Sequence, residues 1–262
     1  MTSKTEPRLL CYDLGEGVTA FSTTRHGGVS EANYASFNIN PYCGDSADHV
    51  ARNRQLLADR LGLPASHIVL PHQVHGIEHR AVAPELLDMS DVVRDKILDG
   101  VDMVTTSMTG VCIGVSTADC IPVLLYDPVA RATAAIHAGW RGTLQRICQR
   151  AVMAMQLHYG TTPDRLRAVV GPGISLANFE VGQEVYDQFV QAGFDLTDTA
   201  EWHTKWHLDL PGINIRELIG CGVAPEHIHH AGICTFDHAD DYFSARRLGI
   251  DSGRIYTGIL MR

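Results

Sequence analysis

Cys120 and His137 are the first residues in this sequence whose types and spacing point to chemistry. Two apolar runs, 121–126 and 132–136, flank a turn-forming stretch at 127–130 and predict a β-hairpin. A four-residue loop would place Cys120 directly opposite His137, and side chains so opposed have Cβ atoms about 4.5–5.5 Å apart. A thiolate and an imidazole at that separation can bind one metal ion, or they can form a Cys–His catalytic pair.

The predicted register pairs Tyr126 with Arg131, and a slip of one residue would put the cysteine and the histidine on opposite faces of the hairpin. Each of the two also has a purely structural interpretation, because cysteine is often a small buried hydrophobe. Asp119 before the cysteine, and Gly139 and Gly142 after the histidine, favour a functional site.

Two further histidines, His72 and His75, follow an apolar segment that predicts a strand at 67–74. Their odd spacing prevents both side chains from sharing one face of an extended chain. We therefore expect one to face the site and the other to face solvent or the surroundings of the site. The turn at 99–102 can supply a carboxylate from Asp102.

The helix predicted at 46–61 carries a charge in the middle of its apolar face. Arg54 lies on one stripe with Val50, Leu57 and Leu61 at helical spacing. A charge so placed is costly unless it meets an anion. Arg54 therefore binds a substrate anion, pairs with a buried carboxylate, or extends its head group to solvent.

A second amphipathic helix is predicted at 144–159, and it begins a few residues beyond His137. The free backbone amides and positive dipole of a helix N-terminus can hold an anion. Arg141 lies close to this end of the helix and is a candidate for the same role.

The predicted elements alternate between strands and helices, and several connections are short enough for hairpins. This pattern indicates an α/β fold, with mixed β-sheets flanked by helices in a single layered domain over residues 1–262. The strands are predicted at 18–24, 67–74, 101–105, 111–116, 121–126, 132–136, 166–170, 229–233 and 254–260, and the helices at 46–61, 144–159, 183–191 and 214–220.

The composition of the sequence argues against several classes of protein. A net charge of −9 argues against sequence-independent nucleic-acid binding, which needs clustered Lys and Arg. The sequence has no apolar run of membrane-spanning length and no apolar signal core, so we expect a cytoplasmic protein. Its seven scattered cysteines fit reduced thiols rather than a disulfide framework. Nothing in the sequence indicates the oligomeric state.

Several short motifs together resemble the laccase-domain family, the YfiH-like proteins labelled polyphenol oxidases. Nearly the whole chain takes part in the resemblance, and the order of the motifs makes it specific. They are Thr-Thr-Arg-His-Gly-Gly-Val-Ser from 23, Gln-Val-His-Gly from 73, Thr-Ala-Asp-Cys-Ile-Pro-Val from 117, His-Ala-Gly-Trp-Arg-Gly from 137, Gly-Pro-Gly-Ile from 171, Phe-Glu-Val-Gly from 179 and Phe-Ser-Ala-Arg-Arg from 243.

The resemblance implies a compact α/β domain with one zinc ion held by His75, Cys120 and His137. It also implies a purine nucleoside enzyme that phosphorolyses adenosine, inosine and methylthioadenosine and deaminates adenosine; a bacterial branch is linked to cell-wall precursor editing. Copper is implied by the family label alone. The expected partners are a nucleoside and phosphate. The expected catalytic residues are Cys120, His137 and Asp119, and the expected substrate-binding residues are Arg54, Asn38 and Arg141.

This chain departs from the family pattern at three positions. Many relatives carry cysteines where Gly173 and Asn178 stand, and a tyrosine where Ala245 stands. The missing thiols argue against additional metal sites such as further copper centres.

Three other functions are compatible with the same residues. One is a metal-free hydrolase or amidase, with Cys120 as nucleophile and His137 as base, acting on an amide such as a cell-wall precursor. Another is a polyphenol oxidase (laccase), which needs several metals in distinct geometries. The third is a metal-binding adaptor without turnover. For phosphorolysis itself, Asp119 and Asp102 are the candidates that protonate the leaving base.

Overall fold

Two large β-sheets lie face to face in the computed structural model, which describes residues 5–262. The first sheet has five strands in the spatial order β1-β2-β14-β6-β3. Its strands are antiparallel except for the parallel pair β3 and β6. Their bounds are β1 Leu9–Tyr12, β2 Val18–Thr23, β3 Ile68–Val69, β6 Cys112–Thr117 and β14 Ile255–Met261.

The second sheet has six strands in the order β13-β9-β7-β8-β5-β4, and its central strands β9, β7, β8 and β5 are antiparallel. The two edge strands pair in parallel with their neighbours, so both large sheets are mixed. The predicted α/β fold with mixed sheets is confirmed. The strand bounds are β4 Glu78–Ala81, β5 Val101–Thr106, β7 Ile121–Asp127, β8 Ala132–Ala138, β9 Arg167–Val170 and β13 Ile228–His230.

Alternate side chains of β7 face two different neighbours. Val123 and Leu125 pack in the core under the helices, whereas Leu124 and Tyr126 pack between the two sheets. A strand buried on both faces is a continuous apolar run, which is why this segment shows no polar alternation. The central hairpin is therefore held rigidly from both sides.

Helices cover the outer faces of both sheets. Leu57 of the first helix packs with Phe21 and Tyr256 on the five-stranded sheet, and Ile147 and Phe189 belong to the core outside the six-stranded sheet. None of the helices within residues 5–262 has the length and apolar character that a membrane crossing requires. The bounds are α1 Ala47–Leu61, α2 Pro84–Asp88, α3 Asp91–Ile97, α4 Trp140–Leu144, α5 Ile147–Tyr159, α6 Gln183–Gln191, α7 Leu210–Gly220 and α8 Ala245–Leu248.

A third, small antiparallel sheet was not predicted. It consists of β10 (Glu180–Val181), β12 (Trp206–Leu208) and β11 (Ala200–Trp202). Strands of two or three residues are too short to show an alternating pattern, so sequence periodicity gives no signal for them.

The predicted register of the central hairpin was wrong by one residue on each strand. Asp127 pairs with Ala132, which places Pro122 rather than Cys120 opposite His137. The Asp127 side chain accepts hydrogen bonds from two backbone amides of the loop and ends the strand one residue later than expected. Because the total shift is two residues, the predicted face of the hairpin is preserved.

Two other predicted elements also differ. The helix expected at 144–159 begins at Ile147 as α5, because Arg146, with a φ of 62°, interrupts the helical backbone, and a separate short helix, α4, precedes it at Trp140–Leu144. The anion-binding helix start expected near His137 is therefore the five-residue α4 rather than a long helix. The strand expected at 67–74 is reduced to β3, and an irregular segment that contains His72 and His75 follows it.

We expect Gly114→Ala to destabilise the protein, because this glycine lies where two sheet strands and a tyrosine ring meet. Gly114 of β6 pairs with Gly258 of β14, and a Cβ at Gly114 would lie 2.3 Å from Cζ of Tyr256 and 2.6 Å from the carbonyl oxygen of Thr257. Overpacking of this kind costs about 1–3 kcal/mol.

Urea denaturation measures the loss, and Gly220→Ala is the matched control. A Cβ at Gly220, the last residue of α7, meets nothing within 4 Å, so its free energy of unfolding should stay unchanged or rise slightly. Equal stabilities of the two variants would contradict the packing described here.

Candidate metal centre

Three side chains from distant parts of the chain converge at one end of the central hairpin. The potential ligand atoms of His75, Cys120 and His137 all lie within 4.8 Å of one another. The two imidazole rings are 4.9 Å apart between centroids and meet edge to face at 67°. The residues that the sequence predicts as metal ligands thus form a candidate metal site.

Local backbone conformation directs each of the three toward this point. His137 belongs to β8, while Cys120 directly precedes β7 on the paired strand. Asp119, with a φ of 85°, turns the chain immediately before the cysteine. His75 itself has a φ of 62° in the irregular segment after β3, so this side chain is presented by a tight bend rather than by a strand.

The carboxylate of Asp102 connects two of the candidate ligands. It is fully buried on β5, and its Oδ1 accepts hydrogen bonds from Nδ1 of His137 at 2.6 Å and from the backbone amide of His75 at 3.0 Å. Its Oδ2 accepts from the amides of Val74 and Gly76 at 3.2 and 2.7 Å. With Nδ1 engaged in this way, Nε2 of His137 is left to bind a metal ion.

The protonation states of Asp102, Cys120 and His137 are coupled through their contacts. Burial acts to raise the pKa of Asp102, but its bonds to His137 and the backbone amides hold that pKa below its usual range. Burial likewise acts to raise the pKa of the Cys120 thiol, and the neighbouring His137 and His75 lower it overall. Burial acts to lower the pKa of His137, but Cys120 and Asp102 raise it to about 9. Without a metal ion the site therefore pairs a thiolate with an imidazolium, and metal binding would release the imidazolium proton. Such a set of two nitrogens and one sulfur suits zinc or copper.

Glycine at position 139 provides the space that the three side chains occupy. A Cβ there would lie 2.9 Å from Cδ2 of His75 and 3.1 Å from Sγ of Cys120. Gly142 in the next turn is also close-packed, because its Cβ would lie 3.2 Å from the carbonyl oxygen of Gly76. The residues present thus fit a bound metal ion, because the two glycines leave space for the three donor side chains.

A cavity of about 530 Å³ opens above the three candidate ligands. This volume lies in the range of sites for small organic molecules, about 300–1,000 Å³. Phe179 and Ile174 contribute apolar surface, whereas Asn40, Ser116 and Arg246 contribute polar groups. The cavity therefore offers a flat apolar wall and a cation close to the candidate metal site.

His72, the second histidine of its motif, also lines this cavity but is not one of the three converging residues. Its Nδ1 bonds to Oδ1 of Asp99 at 2.6 Å, and its ring stacks on Tyr42 with 4.2 Å between centroids. Both histidines line the cavity, with His75 in the converging group and His72 beside it, so the expected division of one histidine to the site and the other to solvent or the surroundings of the site stays a prediction.

Asp119 lines the cavity with its carboxylate fully engaged. Oδ1 accepts a hydrogen bond from the hydroxyl of Thr235, and Oδ2 accepts one from the backbone amide of Arg246, both at 2.7 Å. Arg246 follows Ser244, whose side chain caps the short helix α8. Asp119 thereby fixes the position of the segment that carries the arginine.

The structure brings none of the three expected substrate-binding residues into this cavity. Arg141 is exposed and lies over the ring of Trp140 at 4.3 Å. Asn38 is buried, and its side chain bonds to Asp45 and to the backbone of Arg254. Arg54 lines a neighbouring cavity. Their assignment to substrate binding stays a prediction.

Sequence reasoning missed Arg246 and Arg254 as residues of the cavity. Both lie in the last fifth of the chain, far from the hairpin, and α8 is only four residues long. For Arg246 the one available signal was the Phe-Ser-Ala-Arg-Arg motif, which has no periodicity that would direct an arginine toward a site, and Arg254 lies outside that motif.

Comparison with known proteins agrees with this geometry. A family profile described as multi-copper polyphenol oxidoreductase laccase matches residues 19–262. The chain belongs to this family, as the motifs predicted. A protein from Bacteroides thetaiotaomicron named purine nucleoside phosphorylase is 44% identical over 93% of this chain and 92% of its own length.

Two further proteins show the same relationship. Adenosine deaminase RL5, from an unknown prokaryotic organism, is 40% identical over 93% of this chain and 94% of its own length. The crystal structure of the Bacillus licheniformis hypothetical protein YfiH superimposes with a TM-score of 0.90 at 29% identity, covering 98% of this chain and 97% of that one.

We expect His75→Ala, Cys120→Ala and His137→Ala each to lose most of the bound metal, because each removes one of three converging donor atoms. Elemental analysis of the purified proteins measures the content. His72→Ala is the matched control, since this histidine lies in the same segment and bonds to Asp99 instead. Metal loss in the His72 variant with full retention in the His75 variant would contradict the assignment.

Proposed function

We propose that this protein is a zinc-dependent purine nucleoside phosphorylase. It acts on adenosine, inosine and methylthioadenosine and has adenosine deaminase activity. The observation that carries the proposal is the convergence of His75, Cys120 and His137 beneath a cavity that also presents Arg246. The names of two relatives, a purine nucleoside phosphorylase and an adenosine deaminase, support the two activities.

Zinc is the metal that the donor set favours. Three protein ligands of nitrogen and sulfur leave one coordination position free, which is the pattern of catalytic rather than structural zinc. A zinc ion held there would supply a Lewis acid that polarises a water molecule or a substrate oxygen. Copper, which the family description names, can use the same kind of ligands.

Arg246 is the residue that we assign to the phosphate co-substrate. Phosphorolysis needs a phosphate oxygen next to C1′ of the ribose, and a guanidinium binds phosphate with a planar pair of donors. Nη2 of Arg246 donates to the carbonyl oxygen of Glu180, and among residues 5–262 no acceptor engages its other guanidinium donors. The guanidinium of Arg254, in contrast, bonds to three backbone carbonyl groups.

His72 is the residue best placed to protonate the departing purine. Asp102 accepts four hydrogen bonds, and Asp119 accepts one on each of its two oxygens, so both aspartates act as hydrogen-bond acceptors rather than as proton donors. His72 lines the cavity and has Nδ1 fixed by Asp99, which leaves Nε2 for the substrate. In this assignment Asp119 positions Arg246.

A second candidate function has a specific observation in its favour. Asp102, His137 and Cys120 form a chain of acid, base and thiol, and the pKa of the thiol is lowered overall by the histidines beside it after burial has acted to raise it. A metal-free cysteine hydrolase acting on an amide would use these same groups. Multicopper oxidation is less well supported, because residues 5–262 contain one group of three or more potential metal ligands.

A phosphate-dependent assay with and without zinc tests the proposal. We expect the zinc-loaded protein to convert adenosine and phosphate to adenine and ribose 1-phosphate, and to form some inosine. Removal of zinc with a chelator should abolish both products, and added zinc should restore them. Full activity of zinc-free protein would favour the hydrolase, and no product under any condition would favour an adaptor without turnover.

Arg246→Gln is expected to raise the KM for phosphate about tenfold or more, because it removes a charged hydrogen-bond donor. Deamination of adenosine, which uses no phosphate, should change much less. Arg247→Gln is the matched control: the neighbouring arginine lies on the same short helix and packs on Phe236 outside the cavity. Equal KM values for the two variants would contradict the assignment.

A further inference from the structure

A second cavity, of about 560 Å³, lies beside the one above the metal centre. Its apolar wall comes from α1 and the segment that follows it, including Val50, Ile68 and Leu70. Leu98 closes it from the end of α3. Two arginines, Arg54 and Arg94, also line this cavity, together with Asp91 and Asp95.

Arg54 has the features of a cation prepared for an external anion. It is half-buried on the inner face of α1, and its Nη2 donates to the carbonyl oxygen of Ile68 at 2.8 Å. Among residues 5–262, no carboxylate lies within 4.0 Å of its guanidinium, and its Nε and Nη1 have no hydrogen-bond acceptor. Most half-buried charges have a partner, because an unpaired one is costly.

Arg94 places a second positive charge near the first. Burial lowers the pKa of Arg54, and the charge of Arg94 is one of the groups that lower it further. Only 14% of the Arg94 side chain is exposed, whereas its partner Asp91 is 84% exposed. Asp95, also exposed, lies at the rim of the cavity. Asp91 also lines the cavity and offsets the charge of Arg94, and Asp95 acts to raise the pKa of Arg54. Arg54 is therefore the cation of this pocket whose donors no carboxylate among residues 5–262 occupies.

We propose that this second cavity is a binding site for a phosphate dianion, held by Arg54 and Arg94. A guanidinium group matches the oxygens of phosphate with its planar pair of donors. The two arginines place such groups in one cavity of a protein whose net charge is −9. The apolar wall accommodates the organic part of a phosphomonoester, while the arginines alone suffice for inorganic phosphate.

The site is separate from the one that Arg246 lines, but the two share a wall. Tyr42 lines both cavities, and its ring stacks on His72 in the cavity above the metal centre. Arg54 is thereby an anion-binding residue, as its position in an apolar stripe predicts, at a location that the sequence does not reveal.

Isothermal titration calorimetry with inorganic phosphate, and separately with ribose 5-phosphate, tests the proposal. The titrations use Arg246→Gln protein, so that phosphate bound next to the metal centre does not contribute. We expect saturable binding, and we expect its affinity to fall about tenfold or more when Arg54→Gln or Arg94→Gln is added, since each substitution removes a charged hydrogen-bond donor. Tighter binding of ribose 5-phosphate identifies a phosphomonoester as the ligand, and equal binding identifies free phosphate.

Arg52→Gln is the matched control, because it removes one exposed charge from the same helix without touching the cavity. If Arg54→Gln prevents folding through loss of its bond to Ile68, the Arg94 variant still gives the answer, since the partner of Arg94 is exposed. Unchanged affinity in the folded variants, or no saturable binding, overturns the proposal. The measurement needs no turnover and should be unaltered by zinc removal, so its outcome is independent of the proposed enzyme activity.

Discussion

One buried carboxylate organises the site on which the rest depends. Asp102 has no solvent exposure, and a buried charge without partners is strongly unfavourable. Four donors compensate it: the imidazole of His137 and the three consecutive amides of residues 74–76. The same carboxylate therefore orients one candidate ligand directly and holds the backbone that carries another, His75. Loss of its charge would disturb both at once.

The layered fold makes this arrangement rigid. Asp102 lies on β5, His137 lies on β8, and Cys120 directly precedes β7. All three strands are buried on both faces. Close-packed interiors resist small displacements. Ligands that approach from adjacent strands are consequently held at fixed separations, whereas the cavity above them is bounded by loops and by the short helix that carries Arg246.

Local patterns in the sequence identified most of the core strands together with Cys120 and His137, whereas the choice of His75 over His72 came from the family resemblance. The apolar runs gave the central hairpin and its buried face, because side-chain alternation survives a shift of two residues. The apolar runs did not predict the exact register of the hairpin, because the register depends on the hydrogen bonds that Asp127 accepts from the loop amides. The positions of Arg54 and Arg246 also depend on long-range packing. A helical stripe or a five-residue motif singles out a charged residue but does not show which of two neighbouring cavities its side chain lines.

The ring of Tyr42 forms a common partition between two chambers, and this geometry has a consequence for molecular recognition. Because one ring contributes to both walls, a substitution at this position changes the shape of both chambers at once. The outline of each chamber is therefore tied to the other through a single aromatic side chain, which is itself held by stacking on His72.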